Sequence, residues 1–375
     1  MPHRPHIVLA DDLTGAAEIA AIAHEAGLRA VVLTHLPTVP IAADVLVFDT
    51  DSRLLAPAAA ARKVGAWAKC LAHTPHRGFF LKVDSVLRGS VLVHATATAR
   101  ALGRHRTLLL PANPSLGRTI RDGRYAVQGV PLHETAFARD PHHPRTSADV
   151  RVLLGRAPRT PVVSLPPSTS RLPDHGVAVG DTTSPADVRH WTDLLDSVTL
   201  PAGGADFFRA WLRSQGPSRH ARARASRLVG PALFLHGSAM ATNGSRLLRF
   251  RGQQAPTVAR VAAALQRHGA VAVAPPDARL AGRDAPAALA RGFADLAWKL
   301  HAQHAFTHLL IAGGATTAAV LSVLGWTDLE VIRVWGPGAV TLRPVRDPAF
   351  AVTLKPGSYA WPANLRRALP AGLFD

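Results

Sequence analysis

The chain has one cysteine, Cys70, so no internal disulfide can form and a reducing compartment is its natural setting. Lysine is nearly as scarce, with five against 38 arginines among the 43 basic residues of the 375-residue sequence. No apolar run reaches the roughly 18 to 20 residues needed to cross a bilayer. The opening Met1-Pro-His-Arg-Pro-His6 lacks the apolar h-region of a secretory signal. A cytoplasmic protein without a membrane partner is therefore expected. Also missing are a Walker A motif and the protein-kinase signatures, which excludes those two types of nucleotide site. Neither an internal repeat nor a low-complexity tract beyond alanine-rich helices is present.

The apolar share is 47% and the length allows two domains of ordinary size, each with its own core. A formal charge of +18 raises the possibility of a nucleic-acid partner. The excess is almost all arginine and is spread along the chain. Its densest patch, Arg219, Arg222, Arg224 and Arg227, has no aromatics interleaved for base stacking and reads as a solvated helix face or a linker. No nucleic-acid partner is expected.

Short apolar runs at residues 7–10, 30–33, 45–48, 79–83 and 107–110 read as buried strands. Helical patterns at 16–26, 58–71 and 91–102 lie between some of them. Strands alternating with helices predict a mostly parallel sheet, whose ligand sites lie at the carboxyl ends of the strands. Residues 111–147, rich in Gly, Pro, Arg and His, break the alternation and form a functional loop rather than an idle connection. The pattern resumes with strands at 162–165 and 176–179 and a helix over 185–197. A basic stretch at 216–230 marks a boundary, giving domains 1–225 and 226–375. In the second domain, strands at 232–235, 270–274, 308–312 and 351–354 renew the α/β pattern. The fold class is thus α/β, with two domains that each carry a mostly parallel sheet flanked by helices.

Three polar clusters fall at strand ends in the first domain: Ala10-Asp-Asp-Leu-Thr-Gly-Ala16, Asp49-Thr-Asp-Ser-Arg53 and Phe80-Leu-Lys-Val-Asp-Ser-Val-Leu-Arg-Gly-Ser90. Acids and bases in such places are costly to bury unless they pair or hold a charged ligand. Asp11 and Asp12, with Thr14 in the turn, either cap a helix or take the proton of a substrate hydroxyl. Arg53 can clamp a carboxylate through parallel hydrogen bonds. Lys82 and Arg88 supply positive charge, Asp84 and Ser85 suit hydroxyls, and Gly89 closes the turn; alternatively an internal Lys82–Asp84 or Asp84–Arg88 pair only orders the loop. Asp49 and Asp51 also form an Asp-x-Asp pair, the nucleophile and acid of a haloacid-dehalogenase-like sugar phosphatase, although that reading expects the pair on the first strand. In the second domain, Gly313-Gly314-Ala-Thr-Thr317 follows a strand and opens a helix, an arrangement whose free N–H groups suit phosphate.

These motifs together resemble the four-carbon acid sugar kinase family over nearly the whole chain. The likeness includes the long loop, with Pro111-Ala-Asn-Pro114, Gly117-Arg118, Asp122-Gly123, Gly129-Val-Pro131, Glu134-Thr135 and Asp140-Pro141. It continues through Gly237-Ser238, Gly313-Gly314-x-Thr316 and Leu354-Lys-Pro-Gly-Ser358. The resemblance implies an acid-sugar domain, a nucleotide domain and reaction in the cleft between them. It also implies ATP and Mg²⁺ as cofactors, and threonate, erythronate or 3-oxo-tetronate as the kind of substrate, phosphorylated at a terminal hydroxyl. A homo-oligomer is compatible with it. By position, Asp11 or Asp12 would be the base. Thr14, Arg53, Lys82, Asp84, Ser85, Arg88 and Gly89 would form the substrate shell. Ser238, Gly313, Gly314, Ala315, Thr316 and Gly357 would meet the nucleotide, while metal ligands are not assigned. Three positions depart from the family pattern. Ala315 stands where an acidic residue is usual, Val86 replaces threonine, and Tyr359-Ala360 replaces Phe-Gly.

Overall fold

The computed structural model describes residues 4–216, 230–237, 246–276, 285–336, 338–355, 361–369 and 373. The arginine cluster at 219–227, Ser238, and residues 356–360 with Gly357 lie outside the described residues. By internal contacts the chain divides into two units: Met1–Leu28 with Thr34–His220, and Arg29–Leu33 with Ala221–Asp375.

In the first unit, seven parallel strands run in the spatial order Val45–Asp49, His6–Ala10, Gly78–Lys82, Thr199–Gly203, Arg106–Leu110, Gly176–Gly180 and Val162–Leu165. The inner strands are apolar on both faces, as a sheet covered by helices on each side requires. The covering helices begin as their sequences dictate. Leu13–Glu25 starts at the Asp12 N-cap, Pro57–Ala72 has proline in its first turn, and Pro185–Asp193 opens on a Ser184/Asp187 capping box. The amphipathic helix Ala205–Ser214 buries Phe207, Phe208 and Trp211 against Phe80, with ring centroids 5.2 to 5.6 Å apart. The loop at 111–147 carries a three-stranded antiparallel ribbon, Arg118–Arg121, Arg124–Val127 and Val130–Pro131. Ile120 bridges to Thr182 and so ties the ribbon to the sheet end.

The second unit has a mixed sheet. Leu247–Arg249, Ala270–Ala274, Ala232–His236, His308–Ala312 and Ala351–Lys355 are parallel neighbours in that order. Ala339–Pro344 and Asp328–Gly336 then continue it antiparallel. Its last strand is Ala30–Leu33, which pairs antiparallel with Asp328–Gly336. A boundary at 225 assigns residues 30–33 to the first domain, whereas this strand is built into the second unit. Arg29, just before it, donates from Nε and a terminal nitrogen to the two Glu330 carboxylate oxygens, each at 3.1 Å, and so fixes the register.

Phe80 is fully buried at the centre of the first unit's aromatic cluster. Phe80→Ala is expected to cost that unit about 3–5 kcal/mol, read as an earlier midpoint of its transition in chemical denaturation.

Candidate active site

The three sequence clusters meet. The strands ending in Ala10, Asp49 and Lys82 are parallel neighbours, with Ala10 opposite Asp49 on one side and Lys82 on the other. The turn after Asp49 is laced to the end of the first strand. Thr50 donates its backbone N–H and its hydroxyl to the Ala10 carbonyl, and the Ser52 and Arg53 amides donate to the Asp11 carbonyl. Two residues here adopt left-handed backbone, Asp51 at φ 43° and Leu87 at φ 62°. Each costs on the order of 1 kcal/mol, which the hydrogen bonds around them offset.

Arg53 reaches both acids of the first cluster. Its Nε and one terminal nitrogen donate to the two Asp11 oxygens at 2.8 Å, and the terminal nitrogens donate to the two Asp12 oxygens at 2.6 and 2.8 Å. Its guanidinium also lies 3.7 Å from Asp84. The fork expected to clamp a substrate carboxylate is therefore engaged with the protein's own carboxylates. Asp11 is buried, whereas the Asp12 side chain keeps 24% of its exposure. Burial pushes the Asp12 carboxyl up and Asp11 adds to this, against the pull of Arg53, leaving it above the usual carboxylate range. Asp12 also accepts the Gly15 amide at 2.8 Å. A Cβ on Gly15 would lie 2.7 Å from that Asp12 oxygen and 3.2 Å from the Lys82 ammonium, so glycine there leaves room for both. Thr14, half-buried, is the second residue of that helix.

Lys82 is buried, 3.3 Å from Glu18 and 3.1 Å from the Val83 carbonyl. Burial works against its charge, but Glu18, Asp12 and Asp11 outweigh that, and its pKa is raised. Asp84 organises the next turn: one oxygen accepts the Val86 and Arg88 amides and Arg88 Nε at 3.0 to 3.1 Å, and the other accepts an Arg88 terminal nitrogen at 2.8 Å. Burial opposes the Asp84 charge, yet Arg53 and Arg88 hold the carboxyl well below its usual range. Arg88 further donates to Asp140 at 3.1 Å. Ser85 accepts from Arg118 of the ribbon and, through its carbonyl, from the Tyr125 hydroxyl at 2.5 Å. Gly89, at φ 81°, has Arg53 within 3.2 Å of where a Cβ would stand.

Asp49 and Asp51 do not form a paired site. Asp49 is buried and accepts the Asp51 amide at 2.8 Å, while Asp51 is exposed. Burial pushes the Asp49 carboxyl up to about 8, with repulsion from Asp12 and Asp51 adding to it. Sequence reasoning missed Glu18, Arg118, Tyr125 and Asp140 as members of this network. Gly117-Arg118 and Asp140-Pro141 were visible as motifs, but nothing in the linear spacing aims their side chains at Ser85 and Arg88.

In the second unit, the strands ending in His236, Ala312 and Lys355 are adjacent and parallel. Gly313, at φ 110°, caps the helix Gly314–Leu324, and Thr317 donates its hydroxyl to the Gly313 carbonyl at 2.9 Å. The N–H groups of Gly314, Ala315 and Thr316 open this helix without intrahelical acceptors, which suits an anion. A Cβ on Gly237 would fall 2.0 Å from the Thr316 hydroxyl, so glycine is what lets this strand end approach the helix start. The buried Lys355 ammonium lies 5.3 Å over the Trp361 ring, and burial brings its pKa down to about 8. Among the described residues, no group of three or more His, Cys, Asp or Glu could hold a metal ion, and no helix is long and apolar enough to cross a membrane.

The Asp84 carboxyl is depressed in the folded state, so its contribution to stability is full above the unfolded carboxylate pKa of about 4 and is lost as pH falls below it. Asp84→Asn, which removes the buried charge that Arg88 grips from two nitrogens and leaves Arg88 with Asp140 alone, is expected to cost about 3 kcal/mol at neutral pH. The deficit should shrink toward pH 3, as thermal melts at a series of pH values would record.

Residues 6–195 match a family described as a sugar-binding N-terminal domain, and residues 236–359 match a nucleotide-binding C-terminal domain. A 3-oxo-tetronate kinase of Brucella melitensis is 26% identical to the chain, covering 94% of this chain and 92% of the relative. A D-threonate kinase of Bordetella bronchiseptica is 31% identical, covering 88% and 87% respectively. A solved structure from Haemophilus influenzae superposes with a TM-score of 0.76 at 22% identity, over 96% of this chain and 98% of its own. One from Salmonella typhimurium superposes with a TM-score of 0.78 at 21% identity, over 98% and 99%. At such identities the structural likeness speaks for the fold, whereas the two domain matches and the full-length relatives speak for ancestry. The chain belongs to the four-carbon acid sugar kinase family.

Proposed function

We propose that this protein phosphorylates a terminal hydroxyl of a four-carbon acid sugar of the threonate, erythronate or 3-oxo-tetronate type, using ATP. The observation that carries the reading is the convergence of the first three clusters around Arg53, which hydrogen-bonds a pair of carboxylates at the strand ends of the sugar-binding domain. When bound, ATP with Mg²⁺ supplies the phosphoryl group and neutralises its charge. Magnesium commonly keeps several waters and takes one or two carboxylates plus phosphate oxygens, so it needs no all-protein cage.

The residues of the chain then have separate tasks. Asp12, the more exposed of the two acids, accepts the proton of the reacting hydroxyl, while Asp11, doubly bonded by Arg53, holds that guanidinium in place. Burial raises the Asp12 pKa, which makes it a stronger base than an ordinary aspartate once ionised. Lys82 and Asp84 keep the turn and its charge balance fixed, which is the positioning that phosphoryl transfer depends on. In the second unit, the amides of Gly314, Ala315 and Thr316 receive phosphate, and Ser238 and Gly357 are assigned to the nucleotide by position in the family motifs. The absence of a side-chain carboxylate at Ala315 leaves that end to backbone groups. The single cysteine supports a cytoplasmic setting.

A coupled assay of ADP release over four-carbon sugar acids tests this reading. Turnover on at least one acid is expected, and folded protein that turns over none of them would refute it. Asp12→Asn should lower kcat by about 10²- to 10⁴-fold. Wild-type kcat/KM should fall on the acid side at a pH above the ordinary aspartate value, because the base must be ionised and its pKa is raised.

Asp49→Asn separates this reading from the phosphatase alternative. The folded Asp49 binds its proton up to about pH 8, so its cost to stability grows as pH rises from about 4 toward that value. Asparagine keeps the acceptor for the Asp51 amide and does not titrate. The variant should therefore melt higher than wild type by an amount that increases between pH 5 and pH 8, with ADP release retained. Phosphate release from sugar phosphates without ATP, lost in this variant, would favour the phosphatase.

A further inference from the structure

A sugar acid brings one carboxylate, and the cations around the first unit's strand ends differ in their capacity to receive it. This argument rests on the acid-sugar reading above. Arg53 directs four hydrogen bonds to Asp11 and Asp12. Arg88 gives Nε and one terminal nitrogen to Asp84 and the other to Asp140. Lys82 is buried between Glu18 and the Val83 carbonyl. For Arg53 or Arg88 to turn to the substrate, the buried Asp11 or Asp84 would lose two of the hydrogen bonds it accepts, and Lys82 would have to leave Glu18.

Arg118 is placed otherwise. It opens the ribbon strand Arg118–Arg121 and donates from a terminal nitrogen to the Ser85 hydroxyl. Among the described residues, that hydroxyl is the acceptor its guanidinium has, out of the five N–H groups such a group offers. Its central carbon lies 5.7 Å from the centroid of the Phe137 ring, which Arg88 approaches at 5.8 Å. An aromatic face steadies a guanidinium while leaving its N–H edge available for a bidentate partner. Ser85, accepting from Arg118, keeps its own hydroxyl proton to donate. The contacts from Asp12 to Arg118 are continuous, running through Arg53, Asp84 and the adjoining Ser85.

We propose that Arg118, together with the Ser85 hydroxyl, binds the carboxylate of the acid sugar, so that the inserted ribbon sets the preference for acids over neutral polyols. A carboxylate there meets two parallel N–H groups and one O–H, the donor set that a planar anion accepts best.

The test compares kcat/KM for a four-carbon sugar acid with that for the alditol of matching configuration, in wild type, Arg118→Ala and Arg118→Lys. The acid-to-alditol ratio is expected to fall about 10- to 100-fold in Arg118→Ala, mainly through KM for the acid, and to recover in part in Arg118→Lys. A ratio equal to wild type in both variants overturns the assignment. Arg118→Lys, which keeps the charge and the aliphatic stem, carries the test should the alanine variant not fold. If wild type turns over no acid, the kinase reading fails by itself, and calorimetric titration of threonate without ATP then reads Arg118 directly. Binding lost in the variants supports the site, whereas equal binding, or no binding to wild type, overturns it.

Discussion

The paired hydrogen bonds from Arg53 to Asp11 and Asp12 are the interaction on which the first unit's site depends. Two neighbouring carboxylates at the end of a buried strand repel each other and lose hydration. Without a compensating cation, at least one would take up a proton. Arg53 comes from the adjacent parallel strand, and its turn is fastened to the Asp11 carbonyl by backbone hydrogen bonds, so the guanidinium arrives already oriented. Asp84, from the strand on the other side, closes the arrangement at 3.7 Å. Three strand ends thereby share one balance of charge, and each acid is fixed by groups from a neighbouring turn.

This sharing divides the acids by role. Both accept two bonds from Arg53, but Asp11 is buried while Asp12 retains solvent contact and a raised pKa. It also divides the bases. Arg53, Lys82 and Arg88 each hold a protein carboxylate, whereas Arg118 of the ribbon, bonded to the Ser85 hydroxyl, has capacity for an anion. The second unit meets charge in another way. The strand end at Gly237 approaches Thr316 closely, and Gly313 at positive φ caps the helix Gly314–Leu324, whose first amides lack intrahelical acceptors. Backbone donors suit a phosphate chain because they bring partial positive charge without a counter-ion to displace.

Much of this was legible in the sequence because the strands are short apolar runs that end abruptly in charge. Their parallel order follows from the alternation with helices, and a parallel sheet gathers its carboxyl ends on one edge. The motifs at 10–16, 49–53 and 82–89 were accordingly expected to converge, and they do. The local pair Asp84–Arg88 is legible from its spacing, whereas pairing between the clusters is not. Arg53 reads as a clamp for a ligand until the 2.6 to 2.8 Å contacts to Asp11 and Asp12 are seen. The strand at 30–33 reads as part of the first domain, since nothing local to it encodes the bidentate bridge from Arg29 to Glu330, 301 positions away. Thr199–Gly203, with a proline inside it, gave no clear strand signal, yet it lies beside Gly78–Lys82 in the sheet. The loop at 111–147 was seen as functional from its composition, while the ribbon within it, and hence the placement of Arg118, depends on contacts made only in the folded chain.

The most direct test is a crystal structure with a four-carbon sugar acid and a non-hydrolysable ATP analogue bound. The account predicts Arg53 still paired with Asp11 and Asp12, an Asp12 oxygen within hydrogen-bond distance of a terminal hydroxyl, and the sugar carboxylate on Arg118. An Arg53 side chain that has left both aspartates to take the carboxylate would contradict it.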